Sequence, residues 1–152
     1  MVVYVTQKLT RIKGSCHCQN ICYDLLWPER ASEIPVRNCS CTFCKKHGGA
    51  WTSHRGSKLK VKILEVSSVS KYRFGTNTAD FYICKACGVA PFVTSEIDEH
   101  QYAVVNVNTF ENIDAASFIN TSTNFDGETK EDRLERRKRN WIPAVVVTTP
   151  PS

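Results

Sequence analysis

The chain has 152 residues and a formal charge of +5, a length that buries a full core without help from a metal, and a charge too small to mark a nucleic-acid-binding protein. Met1 to Thr10 hold no basic segment followed by an unbroken apolar run, and no stretch approaches the ~20 apolar residues of a membrane span. The expectation is a soluble cytoplasmic protein, where closely spaced cysteines are more often metal ligands than disulfides.

Period-two alternation predicts short strands at Val3-Tyr4-Val5, Ile21 to Trp27, Leu59 to Ile63, Tyr72-Arg73-Phe74, Phe81-Tyr82-Ile83 and Tyr102 to Val107. In the third of these, Lys58, Lys60 and Lys62 should face solvent, and Leu59, Val61 and Ile63 the core. Helix is expected only as a turn after Cys44, a short piece near Asp114 to Phe118, and the charged segment Lys130 to Arg139. That last segment mixes acids with bases and reads as a solvated helical face, or else as a weak binder of anions such as nucleic acid or an acidic small molecule. From Pro143 to Ser152 the chain should finish as an extended, partly frayed terminus. With no repeat and no linker-like composition, residues 1–152 read as one mainly β domain.

Seven of the eight cysteines fall into three clusters, Cys16-His17-Cys18, Cys39-Ser40-Cys41-Thr42-Phe43-Cys44 and Cys84-Lys85-Ala86-Cys87. Seven thiolates cannot fill two tetrahedral zinc sites, so one closed site and one with an open position is the most economical arrangement. Cys84-x-x-Cys87 has zinc-knuckle form, with Gly88 supplying backbone freedom to the turn. A redox dithiol at that spacing should sit in a βαβ unit, and no such alternation is present. Cys16 and Cys18, two apart on an extended segment, would point the same way and supply the other half of a tetrahedron, with His17 facing away. Joined to Cys84 and Cys87 they would form a structural staple.

Cys39, Cys41 and Cys44 bring three thiols within six residues, and three protein ligands plus an exchangeable fourth is the pattern of a catalytic zinc. Cys22, His47 or His54 could instead close that site. Cys22 would lie about 13 Å from Cys18 along one strand, and reads better as a buried free thiol. Three thiolates around a divalent ion leave a charge of about −1, and a thiolate ligand takes it to about −2. Lys45, Lys46 and Arg55 are the nearby cations that could offset it. Gly48 and Gly49 could admit a substrate to the backbone, although a simple turn explains them as well, and Trp51 reads as core. Asn106, Asn108 and Asp126-Gly127 could line a pocket, though such residues more often form turns.

Gly14-Ser15-Cys16-His17-Cys18, then Cys39 to Cys44 followed by Lys45-Lys46-x-Gly48-Gly49-Ala50, then Phe81-Tyr82-x-Cys84-Lys85-x-Cys87-Gly88-Val89-x-Pro91-Phe92, resemble the glutathione-dependent formaldehyde-activating enzymes, also called the centromere protein V/Gfa family. The likeness runs from about Gly14 to about Val107. It implies an Mss4-like β fold with few short helices and two zinc ions, a structural one on Cys16, Cys18, Cys84 and Cys87 and a catalytic one on Cys39, Cys41 and Cys44. The implied activity is that of S-(hydroxymethyl)glutathione synthase, formally a carbon–sulfur lyase, with glutathione and formaldehyde or a related aldehyde as partners. A noncatalytic zinc module that binds protein or nucleic acid is the rival, and it has no need of an incomplete ligand set. A methionine sulfoxide reductase would need a nucleophilic cysteine near its C-terminal end, and none follows Cys87.

Overall fold

The computed structural model describes residues 9–151, so the strand expected at Val3-Tyr4-Val5 lies outside the described residues. In chain order the elements are β1 (Thr10–Ser15), β2 (Ile21–Trp27), β3 (Ile34–Cys39), α1 (Thr42–His47), β4 (Trp51–Thr52), β5 (Lys58–Ile63), β6 (Val69–Tyr72), β7 (Asp80–Cys84), β8 (Phe92–Ile97), β9 (His100–Asn106), β10 (Phe118–Thr123), α2 (Lys130–Asn140) and β11 (Ala144–Thr148). The protein is mainly β, as expected. Two mixed sheets form, one ordered β1-β2-β5-β11 and the other β10-β3-β4-β9-β8-β7-β6.

Alternation builds the smaller sheet. In β2 every second residue, Ile21, Tyr23, Leu25 and Trp27, is buried, and antiparallel pairing sets Leu25 opposite Leu59 of β5. Leu59, Val61 and Ile63 point inward and Lys58, Lys60 and Lys62 outward, as the pattern predicts. Each such apolar side chain, fully buried, contributes roughly 1.5–3 kcal/mol.

β8 and β9 carry runs of consecutive buried residues because both faces of the larger sheet are covered. One face presents Phe92, Ala103 and Val105 to the main core, which includes Ile12, Leu25 and Trp27 of the smaller sheet. The other face presents Val93 and Val104 to a second cluster containing Cys44, Trp51 and Trp141. That split places the cysteine motif on the far side of the sheet from the main core.

Several expectations need correction. The helix near Cys44 begins at Thr42, before that cysteine, and is capped by Cys41. Only Tyr72 of the Tyr72-Arg73-Phe74 segment is in a strand. The short helical piece expected near Asp114 to Phe118 is present as a 3-10 turn at Ala115–Ser117, where the Asp114 carboxylate accepts from the Ala116 amide. The carboxy-terminal segment is extended, as expected, but Ala144–Thr148 is a strand paired in parallel with β5 rather than a loose end, and Val145 and Val147 pack on the core. The free edge of β5 supplies the hydrogen-bonding partner that an isolated extended terminus would lack. Among the described residues, no helix is long and apolar enough to cross a membrane.

Candidate metal centres and an arginine-lined cavity

The Sγ atoms of Cys16, Cys18, Cys84 and Cys87 lie within 4.8 Å of one another, with Cys18 and Cys84 3.4 Å apart. Cys16 and Cys18 sit in the tight turn between β1 and β2, not on the extended segment their spacing suggested. The turn is held by the Gln19 amide on the Cys16 carbonyl at 3.1 Å, and the Ile21 amide donates to Cys16 Sγ at 3.3 Å. At the other half, Cys84 ends β7. Gly88 takes a φ of 80° and its amide reaches the Cys84 carbonyl at 2.8 Å, the left-handed turn expected of a knuckle. Burial pushes the Cys84 thiol up and the Ala86 and Cys87 amides oppose that shift; burial also acts on Cys87, but the Cys18 and Val89 amides help hold it down to about 6. Such donors favour thiolate, the form that binds metal.

Cys39, Cys41 and Cys44 form a second group, again within 4.8 Å of one another. Cys39 closes β3. Cys41 is the N-cap of α1, its Sγ accepting from the Cys44 amide at 3.4 Å, so the cap that starts the helix also aims two thiols at one point. Gly48 ends the helix in the left-handed region at φ 78°. The indole of Trp51 then donates to Cys44 Sγ at 3.3 Å. The neighbouring Cys44 thiol, helped by the Cys41 amide and the charge of Arg136, holds Cys39 down to about 5 against the effect of burial. The same proximity, together with burial, pushes Cys44 up.

These three cysteines form part of the wall of a cavity of about 340 Å³. Trp51, Phe81, Val93, Val104 and Trp141 supply apolar surface, and Arg37, Arg133, Arg136 and Arg137 supply positive charge. None of Cys16, Cys18, Cys84 and Cys87 lines it. The two thiol groups therefore differ in access as well as in ligand number.

Residues 11–124 match the family described as glutathione-dependent formaldehyde-activating enzyme. The chain belongs to this family. Its two mixed sheets fit the Mss4-like β fold. A crystal structure of a Rhodobacter sphaeroides protein is similar, with 27% identity and a TM-score of 0.54 over 68% of this chain and 91% of that one. No curated protein matches the chain.

Both donor sets of this formaldehyde-activating family member fit zinc: soft thiolates, closely gathered, with amide or indole donors on their sulfurs. The other residues considered as ligands fall elsewhere. Cys22 is half-buried, its thiol donating to the Gln19 carbonyl at 3.0 Å. His17 is exposed and outside both groups. His47 stacks on Phe43, and His54 contacts Glu29 and Trp27.

The charge-balancing residues are also different from those expected. Lys45, Lys46 and Arg55 are exposed and do not line the cavity. Gly49 packs against Trp51, where an added Cβ would stand 2.7 Å from the ring, so Gly49 makes room for the indole and Gly48 ends the helix. Asn106 donates to the Ala90 carbonyl and Asn108 to that of Gly48, and neither reaches the cavity, whereas Asp126 does. The segment expected to be a solvated face instead supplies Arg133, Arg136 and Arg137. Their i, i+3, i+4 spacing, followed by Trp141 four residues on, was the available signal, since it sets all of them on one helical side. The family match ends at residue 124, before this helix.

Proposed function

We propose that this protein is a zinc-dependent carbon–sulfur lyase of the S-(hydroxymethyl)glutathione synthase type, joining formaldehyde or a related aldehyde to the thiol of glutathione. The observation that carries the reading is the opening of the Cys39, Cys41 and Cys44 group onto a cavity, with no fourth ligand gathered there among the described residues. Cys16, Cys18, Cys84 and Cys87 would hold a structural zinc. A zinc ion on Cys39, Cys41 and Cys44 would supply Lewis acidity and lower the pKa of a thiol at its open position.

The chain's own residues perform the remaining tasks. Trp51 orients Cys44 and draws charge from its sulfur through the indole N–H. Trp51, Phe81 and Trp141 line the cavity with apolar surface that would limit water around the reacting carbon, and the arginines would offset the negative charge of clustered thiolates. In the reaction, the thiolate sulfur forms a bond to the carbonyl carbon while the C=O π pair moves to oxygen, which takes up the proton the thiol released. Nothing is oxidised or reduced. The positive charge lies inside a concavity rather than across an exposed face, which supports a small anionic substrate over a macromolecular partner.

The test combines elemental analysis with calorimetric titration of glutathione and S-methylglutathione into zinc-loaded protein, then detection of the hydroxymethyl adduct by NMR. Two zinc ions per chain, binding that requires the free thiol, and faster adduct formation than in buffer are expected. Two zinc ions with no thiol binding would count against the reading and favour the noncatalytic zinc module.

A further inference from the structure

Four arginines and Asp126 line the cavity, and among the described residues only two of the arginines are ion-paired. Glu128 accepts two hydrogen bonds from Arg136, at 3.0 and 3.1 Å, and its Oε1 lies 3.4 Å from Arg133 Nε. Arg37 and Arg137 have no acidic partner among the described residues. Arg37 Nη2 donates to Ser53 Oγ at 2.8 Å, and Arg137 Nη1 donates to Thr78 Oγ1 at 2.8 Å and Ser95 Oγ at 3.1 Å.

Arg137 is only 6% exposed, and its Nε meets no acceptor. Thr123 Oγ1, on the same cavity, is buried without a partner too. The charge of Glu128 reaches Arg137 without forming an ion pair, and a guanidinium taken out of water with neither a contacting carboxylate nor full hydrogen bonding is costly. Neutral hydroxyls on Nη1 and the Trp141 ring 4.8 Å away hold the Arg137 fork in place without neutralising it. A fixed, desolvated fork with no contacting carboxylate on a cavity wall is preorganised for a planar oxyanion.

We infer that Arg37 and Arg137 bind a carboxylate of a small thiol whose sulfur reaches Cys39, Cys41 and Cys44, so that this site selects acidic thiols over neutral ones. The thiol end rests on the proposed function; the carboxylate end stands on the arginines alone. Because α2 follows the residues matched to the family, Arg137 is a specificity determinant that the cysteine motifs do not encode.

Trp51 and Trp141 line the cavity and report occupancy by fluorescence. The full zinc-loaded chain is titrated with glutathione, glutathione diethyl ester and S-methylglutathione. Glutathione should bind about tenfold or more tighter than its ester, the scale of one charge-assisted contact. Arg37→Gln and Arg137→Gln should each bring that ratio toward one with both zinc ions retained, and Arg137→Lys should restore part of it. Since Arg137 is buried and its Gln variant is open to misfolding, the half-buried Arg37 provides the independent measurement. Equal affinity of acid and ester in the unmodified protein, or an unchanged ratio in Arg37→Gln, overturns the inference. Free thiols that bind regardless of charge leave the proposed function standing without it. If S-methylglutathione binds as well as glutathione and with the same dependence on the arginines, the carboxylate end of the inference holds and the thiol end fails with the proposed function.

Discussion

Trp51 Nε1 donates a 3.3 Å hydrogen bond to Cys44 Sγ, joining the first residue of β4 to the third thiol of the cavity. The contact depends on Gly49, whose missing Cβ leaves space for the indole. Trp51→Phe should keep the packing and lose the donor. Zinc affinity at the cavity site should fall about tenfold, the lower end of what orienting partners of metal ligands contribute. Chelator competition on the mutant should show one ion weakened and the other unaffected.

The two thiol groups should also separate in their effect on stability. Cys41→Ser removes one ligand but leaves a good N-cap for α1, so the expected result is one zinc lost and a nearly unchanged fold. Cys84 is fully buried in the main core, and Cys84→Ser should lower the melting temperature by about 10 °C or more, because a structural metal contributes folding energy directly. Zinc analysis and thermal melts of both variants provide the check. Equal destabilisation would remove the distinction between structural and catalytic sites.

Gly14 lies under the ring of Tyr23, and an added Cβ would stand 2.2 Å from Tyr23 Cζ. Gly14→Ala must displace the ring and break the 2.7 Å bond between the Tyr23 hydroxyl and Thr109 Oγ1. The expected loss is about 1–3 kcal/mol by urea denaturation. Tyr23→Phe, which removes only the hydroxyl, should lose about 1 kcal/mol.

Glu128 titrates below its usual range, chiefly because Arg136 hydrogen-bonds its carboxylate, with the charges of Arg136 and Arg133 adding to the effect. A carboxylate depressed in the folded state stabilises the protein above its unfolded pKa and loses that contribution as pH falls through the folded value. The stability difference between the unmodified protein and Glu128→Gln should therefore be fully present at neutral pH and shrink below about pH 4.5. Chemical denaturation of both proteins across that range measures it. A difference that does not change with pH would show that Glu128 acts through packing alone.

How much could be read from the residues depended on how local the controlling interaction was. The seven clustered cysteines, the Gly88 turn and the alternation of β2 and β5 depend on neighbours two to four residues away, and they were legible from order and spacing. β3 and β10 were not. Pro35, Arg37 and Asn38 in one and Asn120, Thr121 and Ser122 in the other carry weak strand signals, and the two are strands because they pair with each other in parallel across more than eighty residues. β11 likewise depends on the open edge of β5. The arginines show the same limit most clearly. Chain order determined that Arg133, Arg136 and Arg137 share a helical side, but only the packing of α2 over β8 turned that side toward the cysteines and left Arg137 buried without an ion-pair contact. Ligand identity at a metal site is set by residue type and short spacing; what such a site can bind is set by side chains gathered from distant parts of the chain, which the fold alone brings together.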